Sequence, residues 1–249
     1  LVIKLNQILQ KLNFKTATIK KFYRNQSDEQ KLLSVKSNLY CKKKRIDALN
    51  EAIRDNVDIA IFDDGLQDSD LIYDLSFVCF SSTNWIGNGF LIPSGPLREK
   101  LESILKYDAI FINGNGEDTS HIKHSIREID ENIKIFETNY QAINIHEFNS
   151  EDNYLIFSGI GNPNNFKKTL IKNKLKIIKE INFPDHYQYK NKDIERIKLL
   201  ANNLNAKIIT TEKDYVKISQ SSLDSINFLE IDLTIKNQDE LISFIKSKI

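Results

Sequence analysis

The stretch Asp58-Ile59-Ala60-Ile61-Phe62-Asp63-Asp64-Gly65-Leu66-Gln67 decides the fold. Its first half, Asp58 to Phe62, is almost wholly apolar, as expected of a parallel-sheet strand buried on both faces. It closes on two carboxylates and a glycine. Open α/β sheets bind ligands at the carboxyl ends of their strands, and phosphoryl-transfer enzymes direct an Asp from such a position at Mg²⁺. The same residues also suit a plain polar turn closing a strand.

Outward from this stretch, helical and strand patterns alternate. Toward the N-terminus, Leu1, Ile3, Leu5, Ile8, Leu9 and Leu12 keep a helical period, and Ala17-Thr18-Ile19 reads as a strand. Ser27 followed by Asp28 and Glu29 reads as an N-cap with an acidic first turn. A helix near 45–55 leads into the deciding strand. Toward the C-terminus come a strand at 75–80, a Gly- and Pro-rich functional loop at 81–96, a helix at 97–106 and a strand at 109–112. A helix at 119–129 and strands at 133–136 and 142–145 follow. A second series starts at Tyr154. Helices at 163–172, 190–204, 212–218 and 237–247 alternate there with strands at 175–182, 207–210 and 226–231. Strands separated by helices imply parallel sheets flanked by helices. The expectation is an α/β chain of two domains, 1–147 and 148–249.

Charge and cysteine usage exclude several classes. Lys+Arg 35 against Asp+Glu 34 gives +1, which argues against binding nucleic acid through bulk charge. Two cysteines without a CxxC exclude a disulfide scaffold, and Cys79, inside an apolar run, reads as a small core residue. No apolar run approaches the roughly 18 residues of a membrane span. The chain contains no Met and starts inside a helical pattern, so a missing N-terminal piece is expected.

Further segments suit anion or proton chemistry. Pro93-Ser94-Gly95-Pro96-Leu97-Arg98-Glu99 presents Arg98 and Glu99 at an expected helix start, and Arg suits bidentate phosphate binding. Phe157-Ser158-Gly159-Ile160-Gly161-Asn162-Pro163 runs from a strand through a glycine turn to an N-cap and a proline at the first helical position. His186, in Asp185-His186-Tyr187, suits acid–base work from a loop. Thr211 and Asp214 have the spacing of a reciprocal helix cap. No Gly is followed by Lys, so GxxxxGK[ST] is absent, and no GxG completes GxGxxG. His121 and His124 share a helix face without further metal ligands. Lys167, Lys168, Lys172, Lys174, Lys176 and Lys179 form a basic stretch, read as a solvated face or one that meets an anionic membrane.

In this order, Asp63-Asp64-Gly-Leu-Gln, Pro93–Glu99, Phe157–Pro163, Asp185-His186-Tyr and Thr210-Thr-Glu-Lys-Asp214 resemble the tetraacyldisaccharide 4'-kinase (lipid A 4'-kinase) family. The resemblance implies a P-loop NTPase-like α/β/α first domain, a β-ribbon linker to which 133–145 contributes, and a second α/β/α domain. It implies MgATP-dependent phosphorylation of the 4' hydroxyl of a tetraacyl glucosamine disaccharide 1-phosphate in lipid A biosynthesis. The partners implied are that acylated lipid and, peripherally, the cytoplasmic face of the bacterial inner membrane. A phosphate loop would precede Leu1. Asp63 and Asp64 are expected to serve Mg²⁺ and nucleotide; Arg45, Arg98 and Glu99 to contact substrate or phosphate; Asp28 and His186 to form the acid–base pair. Where the family has Arg-Gly-Tyr, Gly-Asp-Glu and a His after Asp-Asp-Gly, this chain has Lys20-Lys-Phe-Tyr-Arg24, Ser27-Asp28-Glu29 and Asp68. Two rival readings are a non-catalytic remnant that binds acyl-sugar or a partner, and a two-domain sugar-nucleotide transferase.

Overall fold

The strand near the N-terminus that is buried along nearly its whole length is Thr16–Lys21 (β1), despite its threonines and lysines, and not the strand that ends on Asp63. The computed structural model describes residues 1–24 and 27–249; the cap expected of the Ser27 side chain lies outside the described residues. Helix α1 (Val2–Lys11) precedes β1. Helix α2 (Ser27–Lys36), β2 (Leu39–Lys42), α3 (Arg45–Arg54) and β3 (Ile59–Asp63) follow. The three strands pair in parallel in the order β2-β1-β3. Ala17 and Ile19 of β1 pack with Tyr40, Ala48 and Ala52. β3 is half-buried along its whole length, which corrects the expectation of burial on both faces: it ends the strand order, and β1 takes the centre.

The chain divides by spatial contact into two units, each discontinuous in sequence. One comprises Leu1–Gly65 and Ala142–Asp232, the other Leu66–Gln141 and Leu233–Ile249. The expected boundary near residue 147 is one of chain order and falls after β6.

The second unit holds β4 (Phe77–Ser81), a 3-10 turn (Leu101–Lys106), β5 (Ala109–Gly114), α4 (Ser120–Ile129) and most of β6 (Lys134–Ala142). β4, β5 and β6 are parallel, and β11 (Ile231–Ile235) completes the order β11-β6-β5-β4. Ile122 and Ile126 of α4 cover Ile110 and Ile112. On the other face Phe111 sits between Phe77 and Phe136, and Phe244 of α8 (Gln238–Lys246) packs on the latter two. The Lys236 N–H donates to Glu137 O and the Ile143 N–H to Glu230 O, so β11 runs antiparallel to β6 and makes a ribbon with it. β6 is one strand rather than the two short ones expected. Cys79 is exposed rather than in the core, because β4 is an edge strand. Arg98 and Glu99 precede the 3-10 turn instead of starting a helix. Leu91 and Leu97 form a bridge, and Arg98 and Glu99 lie in a bend just beyond it.

The rest of the first unit is a second parallel sheet, β10-β9-β7-β8, built from β7 (Asn153–Ser158), β8 (Lys176–Asn182), β9 (Lys207–Thr211) and β10 (Ile226–Leu229). Alternate residues of β7 face opposite layers, as the strand period dictates. Tyr154 and Ile156 meet Phe166 and Leu170 of α5 (Pro163–Lys172), whereas Leu155 and Phe157 meet Ile194, Ile197 and Ala201 of α6 (Asn191–Asn203). The short α7 (Glu212–Tyr215) follows β9 directly. Among the described residues no helix is long and apolar enough to cross a membrane.

Within the second unit, Glu137 accepts hydrogen bonds from Thr119 Oγ1, from Lys123 Nζ at 2.9 Å and from Lys236 Nζ at 3.2 Å. Burial works to raise its carboxyl, but these donors outweigh burial and hold it at about 2, from an ordinary 4.5. A depressed carboxyl contributes stability above its unfolded value and loses it as pH falls through the folded value. Glu137→Gln is therefore expected to destabilise the protein by about 1–3 kcal/mol at neutral pH. The difference from wild type in urea midpoints should shrink between about pH 4.5 and pH 2; a difference independent of pH would contradict the charge-based account.

Candidate active site

Asp28 lies in the first turn of α2 with no solvent exposure. His186 lies on the loop between β8 and α6, 158 residues away in the chain. The two meet: His186 Nδ1 is 2.9 Å from Asp28 Oδ1 and 3.0 Å from Oδ2. An ionised carboxylate only accepts, so Nδ1 carries the proton and donates it. In the neutral imidazole Nε2 is then the acceptor nitrogen; Asp185 Oδ2 lies 3.8 Å from it. The imidazole is 27% exposed against 0% for the carboxylate, so His186 is the member of the pair that solvent reaches.

Local backbone geometry sets the imidazole there. His186 adopts φ +59°, and its N–H donates to Gly159 O at 3.2 Å and to Asp185 Oδ1 at 2.9 Å. Gly159 admits this close approach: a Cβ on it would lie 3.1 Å from Pro184 O and 3.1 Å from Tyr189 Oη. The glycine turn after β7 thus serves the His186 loop, while Asn162 caps α5 as expected, accepting from the Asn165 N–H at 3.2 Å.

Positive charge surrounds the pair. Lys213 Nζ lies 3.5 Å from Asp28 Oδ2, 3.4 Å from Glu29 Oε1 and 3.7 Å from Asp185 Oδ1. Lys217 Nζ lies 3.9 Å from Asp28 Oδ2. Burial works to raise the Asp28 carboxyl, but the His186 hydrogen bond and the Lys213 charge outweigh it and hold the group below the usual range. Asp214 organises the other side. It accepts from Lys217 Nζ at 2.6 Å, Thr211 Oγ1 at 2.7 Å, the Gly159 N–H at 3.0 Å and Tyr189 Oη at 3.0 Å. The Thr211 half of the expected cap is present, its Oγ1 accepting from the Asp214 N–H at 3.1 Å. The Asp214 carboxylate has the larger task of tying β9, the glycine turn and the His186 loop together.

Asp63 ends β3, in register with Lys20 of β1. Lys20 Nζ lies 2.5 Å from Asp63 Oδ2 and 3.1 Å from Glu29 Oε2. Burial works against the charged lysine, yet these two carboxylates hold its ammonium above the usual range. Asp64 takes φ +53°, a region Asp tolerates better than most residues. Its carbonyl accepts from Arg45 Nη2 at 2.6 Å, with the Asp63 carbonyl at 3.4 Å. Arg45 is buried at the start of α3 and fastens the Asp63-Asp64 turn. In the second unit, Arg98 Nη1 donates to Gln67 Oε1 at 3.0 Å and Glu99 Oε1 accepts from Tyr107 Oη at 3.0 Å.

The donor set at the turn fits magnesium, which takes one or two carboxylates and completes its shell with phosphate and water. Asp63 keeps its Oδ1 beyond the Lys20 contact and is 28% exposed. Among the described residues no group of three or more His, Cys, Asp and Glu is arranged to hold a metal. The sequence reading missed Lys20, Lys213, Lys217 and Tyr189 as site residues. The available signals were a lysine within the buried run Ala17-Thr18-Ile19-Lys20 and two lysines four apart beside Asp214.

A mostly parallel α/β chain with a carboxylate–imidazole pair suits phosphoryl transfer to an alcohol, and the comparisons agree: this is a kinase. The family model described as Tetraacyldisaccharide-1-P 4'-kinase matches residues 11–249, and the chain belongs to that family. It is 49% identical over 241 residues to a tetraacyldisaccharide 4'-kinase of Pelagibacter ubique (strain HTCC1062), covering 97% of this chain and 77% of the relative. It is 39% identical over 191 residues to the Rickettsia bellii (strain OSU 85-389) kinase of the same name, covering 76% of this chain and 57% of that one. A crystal structure of "apo" form LpxK from Aquifex aeolicus in complex with ATP superposes with a TM-score of 0.73 at 18% identity. The match covers 99% of this chain and 82% of that one.

Replacing Asp214 by Ala strands the Lys217 ammonium, whose side chain has no exposure. Removing one partner of a buried pair typically costs 3–5 kcal/mol. Asp214→Ala should lower stability by about that much in chemical unfolding; a loss under about 1 kcal/mol, the scale of an exposed pair, would show that the carboxylate is not the brace described.

Proposed function

We propose that the protein transfers the γ-phosphoryl group of ATP to the 4' hydroxyl of a tetraacyl glucosamine disaccharide 1-phosphate, with Asp28 and His186 handling the hydroxyl proton. The observation that carries this reading is the hydrogen bond between the partly exposed imidazole and the buried carboxylate. A sugar hydroxyl is a poor nucleophile until a base accepts its proton, an effect worth about 10²–10⁴-fold. The hydroxyl proton passes to His186 Nε2 as the oxygen attacks the γ-phosphorus; the bond from that phosphorus to the bridging oxygen breaks, and ADP leaves. Asp28 holds Nδ1–H throughout, fixing the tautomer and stabilising the imidazolium that forms.

Asp63 and Asp64 would hold the Mg²⁺ of the nucleotide, which neutralises phosphate charge when bound. Lys20 fixes the orientation of Asp63, and Arg45 fixes the turn that carries both aspartates. Arg98 and Glu99 contact substrate or phosphate. In chain order, 1–147 forms the nucleotide-binding part and 148–249 supplies His186. The acylated substrate implies peripheral work at a membrane, at the cytoplasmic face of the bacterial inner membrane.

Two sets of variants test this in the active protein. Asp28→Ala and His186→Ala should each lower kcat more than they raise KM, and the double variant should be little worse than the worse single one, as for residues acting as a unit. Small, additive losses would reduce the pair to a structural contact. Asp63→Asn and Asp64→Asn, which keep side-chain shape and leave Lys20 an acceptor, should each abolish most turnover at saturating Mg²⁺ and ATP with folding nearly intact by circular dichroism; wild-type rates would mark the two as turn residues.

A further inference from the structure

Lys217 is a lysine whose side chain has no solvent exposure. Taking an ammonium out of water is costly unless its partners are well placed. Asp214 is one such partner, at 2.6 Å, with Gly159 O at 3.3 Å and the Tyr189 ring centroid at 5.1 Å. The ammonium also lies 3.9 Å from Oδ2 of a second carboxylate with no exposure, Asp28. That second carboxylate helps to offset the desolvation of the ammonium, and the same placement brings the Lys217 charge to bear on Asp28. Lys213 also faces Asp28 and its charge helps to lower the Asp28 carboxyl, but it is 22% exposed and shared among Asp28, Glu29 and Asp185, whereas Lys217 has no exposure and is fixed by Asp214.

We propose that Lys217 is a positioning residue for the Asp28–His186 pair: its buried ammonium keeps the Asp28 carboxylate ionised and turned so that both oxygens face His186 Nδ1. The inference rests on the proposed role of that pair and adds the residue that prepares it. The charged and titratable groups facing Asp28 are His186 from the loop after β8, Lys213 of α7, Lys217 just beyond α7 and Glu29 of its own helix. Lys20 of β1 and Asp185 stand one contact further out, through Glu29 and Lys213. Lys217 is the member of this set that combines zero exposure with tight fixation by Asp214.

The test has two arms. In the first, the ¹⁵Nζ resonance of Lys217 is compared between the wild-type protein and Asp28→Asn at neutral pH. Coupling predicts a clear shift and faster hydrogen exchange of the ammonium; an unmoved signal overturns the proposal. In the second, Lys217→Met should lower kcat by about tenfold or more with KM little changed, yet cause almost no further loss in the Asp28→Asn background. Equal fold-losses in both backgrounds, or none in the wild-type background, overturn it. Should Lys217→Met not fold, the ammonium measurement decides alone. Failure of the underlying reading looks different: Asp28→Asn and His186→Ala would then themselves leave kcat unchanged, whatever the ammonium does.

Discussion

A carboxylate with no exposure in the first turn of a helix must be matched by donors, because an isolated buried charge is prohibitively costly. Asp28 is matched by His186, Lys213 and Lys217, so two segments remote in sequence, the His186 loop and the stretch at α7, are obliged to converge on it. The helix that bears it shows how much rests on this. α2 buries Leu33 but leaves Val35 72% exposed, and its sequence Ser-Asp-Glu-Gln-Lys-Leu-Leu-Ser-Val-Lys has little apolar face. Ion pairs hold it at both ends. Lys36 reaches Glu212 at 2.7 Å and Glu230 at 2.6 Å, while Asp28 and Glu29 take the lysines at the other end. Such a helix is docked by charge rather than by hydrophobic burial.

The same charges join the two chemical parts of the site. Asp63 contacts Lys20, Lys20 contacts Glu29, Glu29 contacts Lys213, and Lys213 reaches Asp28. The strand-end aspartate and the Asp28–His186 pair therefore belong to one network within one unit. Parallel pairing makes the first link, since register alone sets Lys20 opposite Asp63 at the carboxyl ends of β1 and β3. Fully paired networks of this kind rigidify a site, and a partly broken one is expensive.

Much of the architecture was legible because strands and helices announce themselves by period and length. β7, α5, α6 and β9 lie within a residue of the positions read from the sequence. Errors arose where burial depends on the neighbouring strand. β3 and β4 end their strand orders, so Phe62 is half-buried and Cys79 exposed although both sit in apolar runs. Arg98 and Glu99 mark another limit: a Gly- and Pro-rich loop does not disclose where the following helical turn begins. The pairing of Asp28 with His186 was expected from family resemblance, because no local pattern links residues so far apart. The roles of Lys213, Asp214 and Lys217 were hidden by a cap motif that accounts for only one of the hydrogen bonds made there.

The account turns on which nitrogen of His186 carries the proton. Free histidine in water favours the Nε2–H form, whereas the Asp28 carboxylate demands Nδ1–H and leaves Nε2 as the acceptor. ¹⁵N NMR of the His186 ring in the folded protein, with the imidazole neutral, distinguishes the two directly. The account predicts a protonated Nδ1, an unprotonated Nε2, and loss of this preference in Asp28→Ala. A protonated Nε2 in the wild-type protein, or a preference indifferent to Asp28→Ala, would contradict it.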